Sequence, residues 1–177
     1  MNIVLGVHVK HDRSACIIID GRVVVNIANE RLDRVKYSDS PEIPYTAVDA
    51  VLKHCNIDIS QVSCIGMSGA GIESEKVKQF YKDDFFAHYR CREIPFFFLS
   101  HHWAHAYSSF CSSTFSESLI FVADGGGDYI GDKQEAETLY YGSHGKIQPL
   151  AARTQDMVVR KMENPVSYTH LRAHETD

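Results

Sequence analysis

The sequence predicts an α/β fold, a mixed sheet with flanking helices, on three observations. Three strand-like apolar runs follow one another within residues 2–29. Helical and strand-like segments then alternate over residues 43–124. A last pair of strand-like runs, within residues 137–152, is joined by a turn at 143–145. Strands that alternate with helical segments are typical of a sheet covered by helices.

The first three runs are NIVLGVHV, SACIIID and RVVVNIAN. The second and third are separated by Asp20-Gly21, a dipeptide that strongly favours a tight hairpin turn. We therefore expect the chain to begin with an antiparallel meander.

Two helices are predicted in the alternating region, over residues 43–56 and 73–89. In the second helix the apolar side chains are expected to share one face; they are Val77, Phe80, Tyr81, Phe85 and Phe86. Strands are predicted over 62–69, 94–100 and 118–124, with a helix over 102–113 between the last two. This layout predicts the ribonuclease-H-like domain of actin-like ATPases and sugar kinases, here as an incomplete domain.

Composition excludes several classes of function. The net charge is −5 and the basic residues are scattered, so we expect no nucleic-acid partner, which would require a clustered positive surface. No apolar run reaches the roughly 18 residues needed to cross a bilayer, and the N-terminus lacks signal-peptide features. We predict a cytoplasmic protein without a membrane partner. Its five cysteines lack a Cys-x-x-Cys pair and are predicted to be buried free thiols.

The C-terminal segment differs from the rest. Residues 163–177 show no apolar periodicity, and PVSYTHLRAHETD resembles a stretch seen where sequencing-adaptor DNA has been translated by mistake. We assign residues 1–162 to the domain and predict that 163–177 is foreign or disordered. Its histidines are excluded as site residues.

Two histidines stand four residues apart in the segment His101-His102-Trp103-Ala104-His105. Residues four apart on a helix project from the same face, so His101 and His105 present two imidazoles one turn apart, a spacing used by metal sites. The alternative is a helix capped by histidines that pack beside Trp103. The position directly after a predicted buried strand favours a metal site.

Asp124 ends a predicted buried strand and is followed by Gly125, Gly126, Gly127 and Asp128. Its carboxylate would complete a set of two histidines and one carboxylate suited to Fe(II) or another divalent ion. Three glycines permit backbone dihedrals closed to other residues and let N–H groups approach a phosphate. A plain glycine-rich turn is the alternative, and the flanking acidic residues favour a functional site.

Two further polar segments are candidates. Residues Lys10 to Ser14 occupy the place of the first phosphate loop in actin-like folds, and His11 is a candidate general base or substrate anchor; a solvated polar turn is equally compatible. Residues Glu30 to Lys36 are dense in charge. They form either a solvated surface or an arm in which Arg34 and Lys36 reach a phosphate.

Four segments resemble, in the same order, the carbamoyltransferase family that includes the nodulation protein U and cephalosporin carbamoyltransferase types. They are VLGVHVKHDRSACIIIDGRVV, ANERLDRVKYS, LSHHWAHAYSSF and LIFVADGGGD, and together they span about residues 3–128. A His-His-x-Ala-His-Ala pattern followed by Asp-Gly-Gly-Gly is far rarer than either half.

The resemblance implies the N-terminal part of an O-carbamoyltransferase. In such enzymes carbamoyl phosphate and ATP give carbamoyl adenylate, and the carbamoyl group passes to a hydroxyl of a sugar, aminoglycoside or similar small molecule. His101, His105 and Asp124 would bind Fe(II) or another divalent metal, and the glycines at 125–127, with Asp128, would line the adenylate site. His11, with Asp12, would lie by the acceptor hydroxyl. A C-terminal lobe outside this chain would be required.

This chain also departs from the family pattern. The family usually reads Gly-His-Asp-Ala-Ser where this chain has Lys10-His11-Asp12-Arg13-Ser14, so we expect a different acceptor. Asn29 stands where an acidic residue is common. Two alternatives stay open: a kinase-like or threonylcarbamoyl-transferring ATPase of the same fold, and a truncated non-catalytic module. The tRNA-directed type usually has Glu between its metal histidines, where this chain has Trp103 and Ala104.

Overall fold

The computed structural model describes residues 1–36, 40–91 and 93–159. The chain divides into two compact units, Met1–Ala104 and a second that begins at His105. The boundary falls within one helix, α4 (His101–Ser112). The predicted tail, residues 163–177, lies outside the described residues.

The first unit is built on a five-stranded mixed sheet. Its strands are β1 (Ile3–His8), β2 (Ser14–Ile19), β3 (Arg22–Ala28), β4 (Cys64–Ser68) and β5 (Phe96–Leu99), in the order β3-β2-β1-β4-β5. The three N-terminal strands pair antiparallel, whereas β4 is parallel to both β1 and β5. The N-terminal meander predicted from the sequence is therefore present, and the two later strands extend it as a parallel sheet.

The turn between β2 and β3 is the predicted one. Asp20 has a φ of 49° and Gly21 a φ of 81°, so both central residues lie in the left-handed region. Two positive φ angles give the local twist that matches the twist of a two-stranded ribbon. Glycine meets this requirement without strain, and aspartate tolerates it better than most residues.

Helices follow the third strand and connect the parallel strands. They are α1 (Glu30–Asp33), α2 (Tyr45–Cys55), a short 3-10 helix (Ile59–Gln61) and α3 (Glu75–Tyr89). Helix α3 begins after Ser74, whose hydroxyl accepts a hydrogen bond of 3.3 Å from the Val77 N–H. The sequence predictions for α2 and α3 are confirmed within two residues at each end.

The core of the first unit lies on one face of the sheet. In β1 the odd-numbered residues Ile3, Leu5 and Val7 are buried, and the even-numbered ones are half-buried. The buried set packs with residues of α2 and α3, among them Val48 and Phe85. Alternation along the strand therefore separates an apolar face covered by helices from a second face that is partly open.

One detail of α3 was predicted wrongly. Tyr81 and Phe85 are buried, but Phe80 is 62% exposed. Successive residues on an α-helix are about 100° apart, so Phe80 points away from the direction that Tyr81 and Phe85 share. Its aromatic character alone did not place it on the inward face.

The second unit contains the greater part of α4 and an antiparallel sheet. The strands are β6 (Glu117–Ala123), β7 (Tyr129–Ile130), β8 (Lys133–Ser143) and β9 (Lys146–Thr154), followed by α5 (Gln155–Val159). β8 pairs with each of the other three strands. The predicted β8–β9 turn is confirmed, with φ angles of 50° at His144 and 74° at Gly145.

Close packing positions α4 on this sheet. Phe110 of α4 lies so near Gly142 of β8 that a Cβ on the glycine would come within 2.9 Å of the Phe110 ring. Real Cβ contacts of that length essentially do not occur, so only glycine permits this approach. The contact fixes α4 against the sheet that contains β6, the strand directly before Asp124.

The cysteines are free thiols, as predicted, but they are not fully buried. Cys16, Cys55, Cys64 and Cys91 are half-buried and Cys111 is exposed. Cys16 and Cys64 lie on the partly open face of β2 and β4, because the strand period of two places their neighbours in the core. Among the described helices, none has both the length and the apolar character needed to cross a membrane.

Candidate metal centre and neighbouring polar groups

The predicted metal histidines lie on the first turn and a half of α4. His101 is the first residue of the helix, and the first helical hydrogen bond runs from the Ala104 N–H to the Ser100 carbonyl at 3.0 Å. His102 is completely buried, whereas His101 is half-buried and His105 is exposed. The helix therefore separates His102 from the pair at positions 101 and 105.

Asp124 follows β6 and faces His105. Its Oδ2 lies 3.6 Å from His105 Nε2, with side-chain exposures of 27% and 46%. Its other oxygen, Oδ1, accepts a hydrogen bond of 2.6 Å from the Gly125 N–H. The backbone at Asp124 is tied to β8, since its N–H donates to the Ala136 carbonyl at 3.0 Å. These bonds hold the carboxylate with one oxygen directed to the histidine.

The residues present fit a divalent metal ion. His101, His105 and Asp124 each offer one ligand atom, and these atoms all lie within 4.8 Å of one another. Two ligands that each bind one ion at about 2.1 Å lie roughly 3.0–3.4 Å apart. The 3.6 Å between His105 and Asp124 is close to that separation and too long for a hydrogen bond. Two imidazoles and one carboxylate form the donor set of Fe(II) sites and of several other divalent metals.

The glycines after Asp124 adopt a conformation that differs from the predicted one. None of Gly125, Gly126 and Gly127 has a φ in the left-handed region. A Cβ at position 126 would lie 2.5 Å from the Gln134 amide nitrogen, so a larger residue there requires the Gln134 side chain to move. The prediction that these glycines adopt dihedrals closed to other residues is therefore wrong.

Two of the three glycine N–H groups donate within the protein. The Gly125 N–H bonds to Asp124 Oδ1, and the Gly127 N–H bonds to the Glu135 carbonyl at 2.7 Å. The Gly127 carbonyl in turn accepts from the Gln134 side chain at 3.1 Å. These bonds fix the segment Gly125–Gly127, the glycine strip, to β8. Its contact with a phosphate stays a prediction.

Asp128 belongs to a buried acidic group that sequence reasoning found only in part. Asp128 and Glu135 are 5% and 9% exposed, and Thr138 donates to Glu135 Oε1 at 2.9 Å. Burial raises the pKa of the nearby Tyr140 to about 12, with smaller contributions from the Glu135 and Asp128 carboxylates. Glu135 was missed because an acidic residue in a strand usually faces solvent. The predicted contact of Asp128 with a cofactor stays a prediction.

The loop between β1 and β2 brings the two predicted catalytic residues together. His11 Nδ1 lies 2.7 Å from Asp12 Oδ2, and their side chains are 66% and 60% exposed. Asp12 has a φ of 56°. Next to it, Arg13 helps to line a cavity of about 180 Å³ together with Asp12, Ala28 and Glu30.

Arg34 and Lys36 are exposed residues of the first unit. Arg34 ends α1 with a φ of 63°, and its N–H donates to the Glu30 carbonyl at 3.1 Å. Arg13 and Asn29 both approach Asp33 Oδ2, at 3.7 Å and 2.7 Å, and so anchor the base of this arm. The predicted role of Arg34 and Lys36 at a phosphate stays a prediction.

One polar pair at the carboxyl ends of two neighbouring strands was not predicted from the sequence. His8 ends β1 and Ser68 ends β4, and His8 Nδ1 lies 2.9 Å from Ser68 Oγ. The ring centroid of His8 is 6.2 Å from that of His101. Strand alternation indicates which face His8 occupies, but the β1–β4 register that brings Ser68 beside it cannot be read from the sequence.

The strand order β3-β2-β1-β4-β5 and the polar side chains at the strand ends define the class of protein. The fold is the actin-like, ribonuclease-H-like fold that the sequence predicts. YeaZ from Pseudomonas aeruginosa aligns with a TM-score of 0.54 at 12% identity, over 87% of this chain and 66% of YeaZ. Full-length HypF, in its phosphate- and nucleotide-bound form, aligns with a TM-score of 0.52 at 10% identity, over 84% of this chain and 18% of HypF.

Sequence similarity also links the chain to a nodulation protein. No family model matches the chain. In an alignment 162 positions long it is 29% identical to the nodulation protein NolNO of Sinorhizobium fredii, and the alignment covers 80% of this chain and 22% of that protein. This similarity to a nodulation protein agrees with the resemblance to the carbamoyltransferase family that the four motifs carry. It spans about a fifth of the length of this curated relative.

Proposed function

We propose that this protein takes part in O-carbamoyl transfer at a metal site formed by His101, His105 and Asp124. In the proposed reaction carbamoyl phosphate, ATP and water give carbamoyl adenylate, phosphate and pyrophosphate. The carbamoyl group then passes to a hydroxyl of a small-molecule acceptor, and AMP is the leaving group. The observation that supports this most is the approach of Asp124 to His105 in a chain that resembles the carbamoyltransferase family. The cytoplasmic location predicted from the sequence stays part of the proposal.

The metal ligands are positioned by backbone elements rather than by flexible loops. His101 and His105 are held one turn apart by α4, and Asp124 is held by the Gly125 N–H and by β8. A bound divalent ion would polarise the carbamoyl carbonyl as a Lewis acid. Neutral imidazole nitrogens and one carboxylate oxygen are the groups that this chain supplies to it.

On the acceptor side, we assign proton removal to His11. The Asp12 carboxylate accepts from Nδ1–H, which fixes the tautomer in which Nε2 is the basic nitrogen. Nε2 then takes the proton of the acceptor hydroxyl as that oxygen attacks the carbamoyl carbon. Asp12 acts through His11 and is a positioning residue.

On the donor side, we assign the strip Gly125–Gly127, with Asp128, to the adenylate, and Arg34 and Lys36 to its phosphates. Glycine at these three positions leaves the strip without side chains. Formation of carbamoyl adenylate is assigned to a further lobe of the enzyme, as the family resemblance implies. Neither nucleic acid nor membrane has a part in the proposed reaction.

Metal analysis tests the proposal directly. We expect the purified chain, reconstituted with Fe(II) without oxygen, to hold about one ion per chain, and His105→Ala to lose most of it. His54→Ala is the matched control, since His54 is exposed on α2. If His105→Ala keeps the metal content of the wild type, the proposed site is wrong.

A further inference from the structure

A second group of polar side chains lies at the carboxyl ends of β1 and β4, within the first unit. His8 and Ser68 are opposite each other in the parallel pairing of these strands, and their side chains are 2.9 Å apart. The pairing continues one residue further, since the Val9 N–H donates to the Ser68 carbonyl at 3.0 Å. In open α/β sheets, ligands bind at the carboxyl ends of strands.

Lys10 follows directly and has an unusual backbone. Its φ is 70°, a left-handed conformation that a lysine rarely adopts, and its N–H is held by the Ser40 carbonyl at 3.0 Å. This conformation turns the Lys10 side chain toward the loop that follows β4. A Cβ added to Gly71 in that loop would lie 2.9 Å from Lys10 Nζ.

The loops after β1 and β4 pack closely together. A Cβ on Gly69 would come within 2.7 Å of a methyl carbon of Val9, so the two chains touch at this point. Gly71 has a φ of 73°, and its missing side chain leaves the space that the Lys10 ammonium occupies. Gly69 and Gly71 of the β4 loop therefore accommodate Val9 and the Lys10 ammonium.

Lys10 adds a positive charge to this group. The side chain is half-buried, and in the described part of the chain its ammonium forms neither an ion pair nor a hydrogen bond. The nearby Asp12 carboxylate is paired with His11. A half-buried cation without an anion is energetically unfavourable, and a bound anion would remove that cost.

We propose that Lys10 and Ser68 bind a carboxylate on the acceptor, so that the acceptor is a hydroxy acid such as an acidic sugar. This inference rests on the proposed function and specifies its acceptor. One ammonium and one hydroxyl match the two oxygens and single charge of a carboxylate. When His8 Nδ1–H donates to Ser68 Oγ, the Ser68 hydroxyl hydrogen is directed to the ligand.

Calorimetric titration of the chain with glucuronate, galacturonate and glucose tests this proposal. The variant is Lys10→Gly, since glycine adopts a φ of 70° without strain. We expect at least one acid to bind more tightly than glucose, and Lys10→Gly to weaken that binding by about tenfold or more. Ser68→Ala is expected to weaken it by a smaller factor, and Lys53→Met, on the exposed face of α2, to leave it unchanged.

Two results would overturn the proposal. One is that neither acid binds more tightly than glucose, or that Lys10→Gly binds the acids as the wild type does. The other is that Lys10→Gly weakens the binding of ATP or inorganic phosphate and not of the acids, which would assign Lys10 to the donor. Metal content is measured in the same samples. A chain without the proposed metal that still binds acids through Lys10 would contradict the proposed function alone.

Discussion

His105 Nε2 and Asp124 Oδ2 lie 3.6 Å apart, although 18 residues separate them in the sequence, and a hydrogen bond from Gly125 holds the carboxylate in this orientation. The fold thereby brings α4, which carries His105, next to the residue that follows β6. It forms the basis of the first prediction.

Asp124→Asn is expected to weaken metal binding by about tenfold or more, because a neutral amide oxygen replaces the anionic ligand. Competition with a chromophoric chelator measures the affinity. Asp132→Asn, at an exposed turn, is the control and is expected to bind metal as the wild type does. Equal affinity of the Asp124 variant and the control would show that this carboxylate is not a ligand.

Gly126→Ala is expected to destabilise the protein by about 1 kcal/mol, since the Gln134 side chain must move and lose its hydrogen bond to the Gly127 carbonyl. Gly125→Ala is the matched control, because a Cβ at Gly125 meets no heavy atom within 4 Å. Urea denaturation measures both variants. A Gly125 variant that is the less stable of the two would contradict this account of the strip.

Stability is expected to fall between about pH 10 and pH 12 in part because of Tyr140. Its pKa is raised to about 12 in the folded protein by burial, against about 10 in the unfolded chain. The folded state therefore binds more protons in this range, so its advantage is complete below pH 10 and is lost as the pH rises through 12. Tyr140→Phe should flatten this part of the stability profile, measured by urea denaturation at several pH values. An unchanged slope would refute the assignment.

Phe80 and Phe85 provide a matched pair on α3. Phe85→Ala is expected to cost about 3–5 kcal/mol, because it leaves a cavity in the core between α3 and the sheet. Phe80→Ala is expected to change stability by less than about 0.5 kcal/mol, since its ring is 62% exposed. Thermal unfolding measures both, and similar losses would show that Phe80 is also part of the core.

Most elements of the fold could be predicted from local patterns. The turns at Asp20-Gly21 and His144-Gly145 have the positive φ angles that their residue types indicate. The buried face of α3 was predicted less well. Helical spacing allows either Phe80 or Tyr81 to face the core, and only packing against the sheet decides that Tyr81 does. The half-buried positions of Cys16 and Cys64 likewise depend on which face of β2 and β4 the helices cover.

The candidate site was predictable in its residue types and less so in its contacts. The spacing of His101 and His105 follows from helix geometry. The close approach of Gln134 to Gly126 was not predicted, because Gln134 belongs to β8 and only the folded chain brings the two together. His8 with Ser68, and Lys10 with Gly71, depend on the register of β1 and β4, and no local pattern reports that register.

By itself, the sequence determined the family resemblance, the class of fold and the set of side chains proposed to bind a metal, because each follows from short-range spacing and residue chemistry. The tertiary structure alone decided which groups meet. It placed the Asp124 carboxylate at His105, tied the glycine strip to β8, and set the Lys10 ammonium against Gly71, beyond the end of β1. These relations arise from strand pairing and close packing between distant segments, and such contacts leave no periodic signal in the chain.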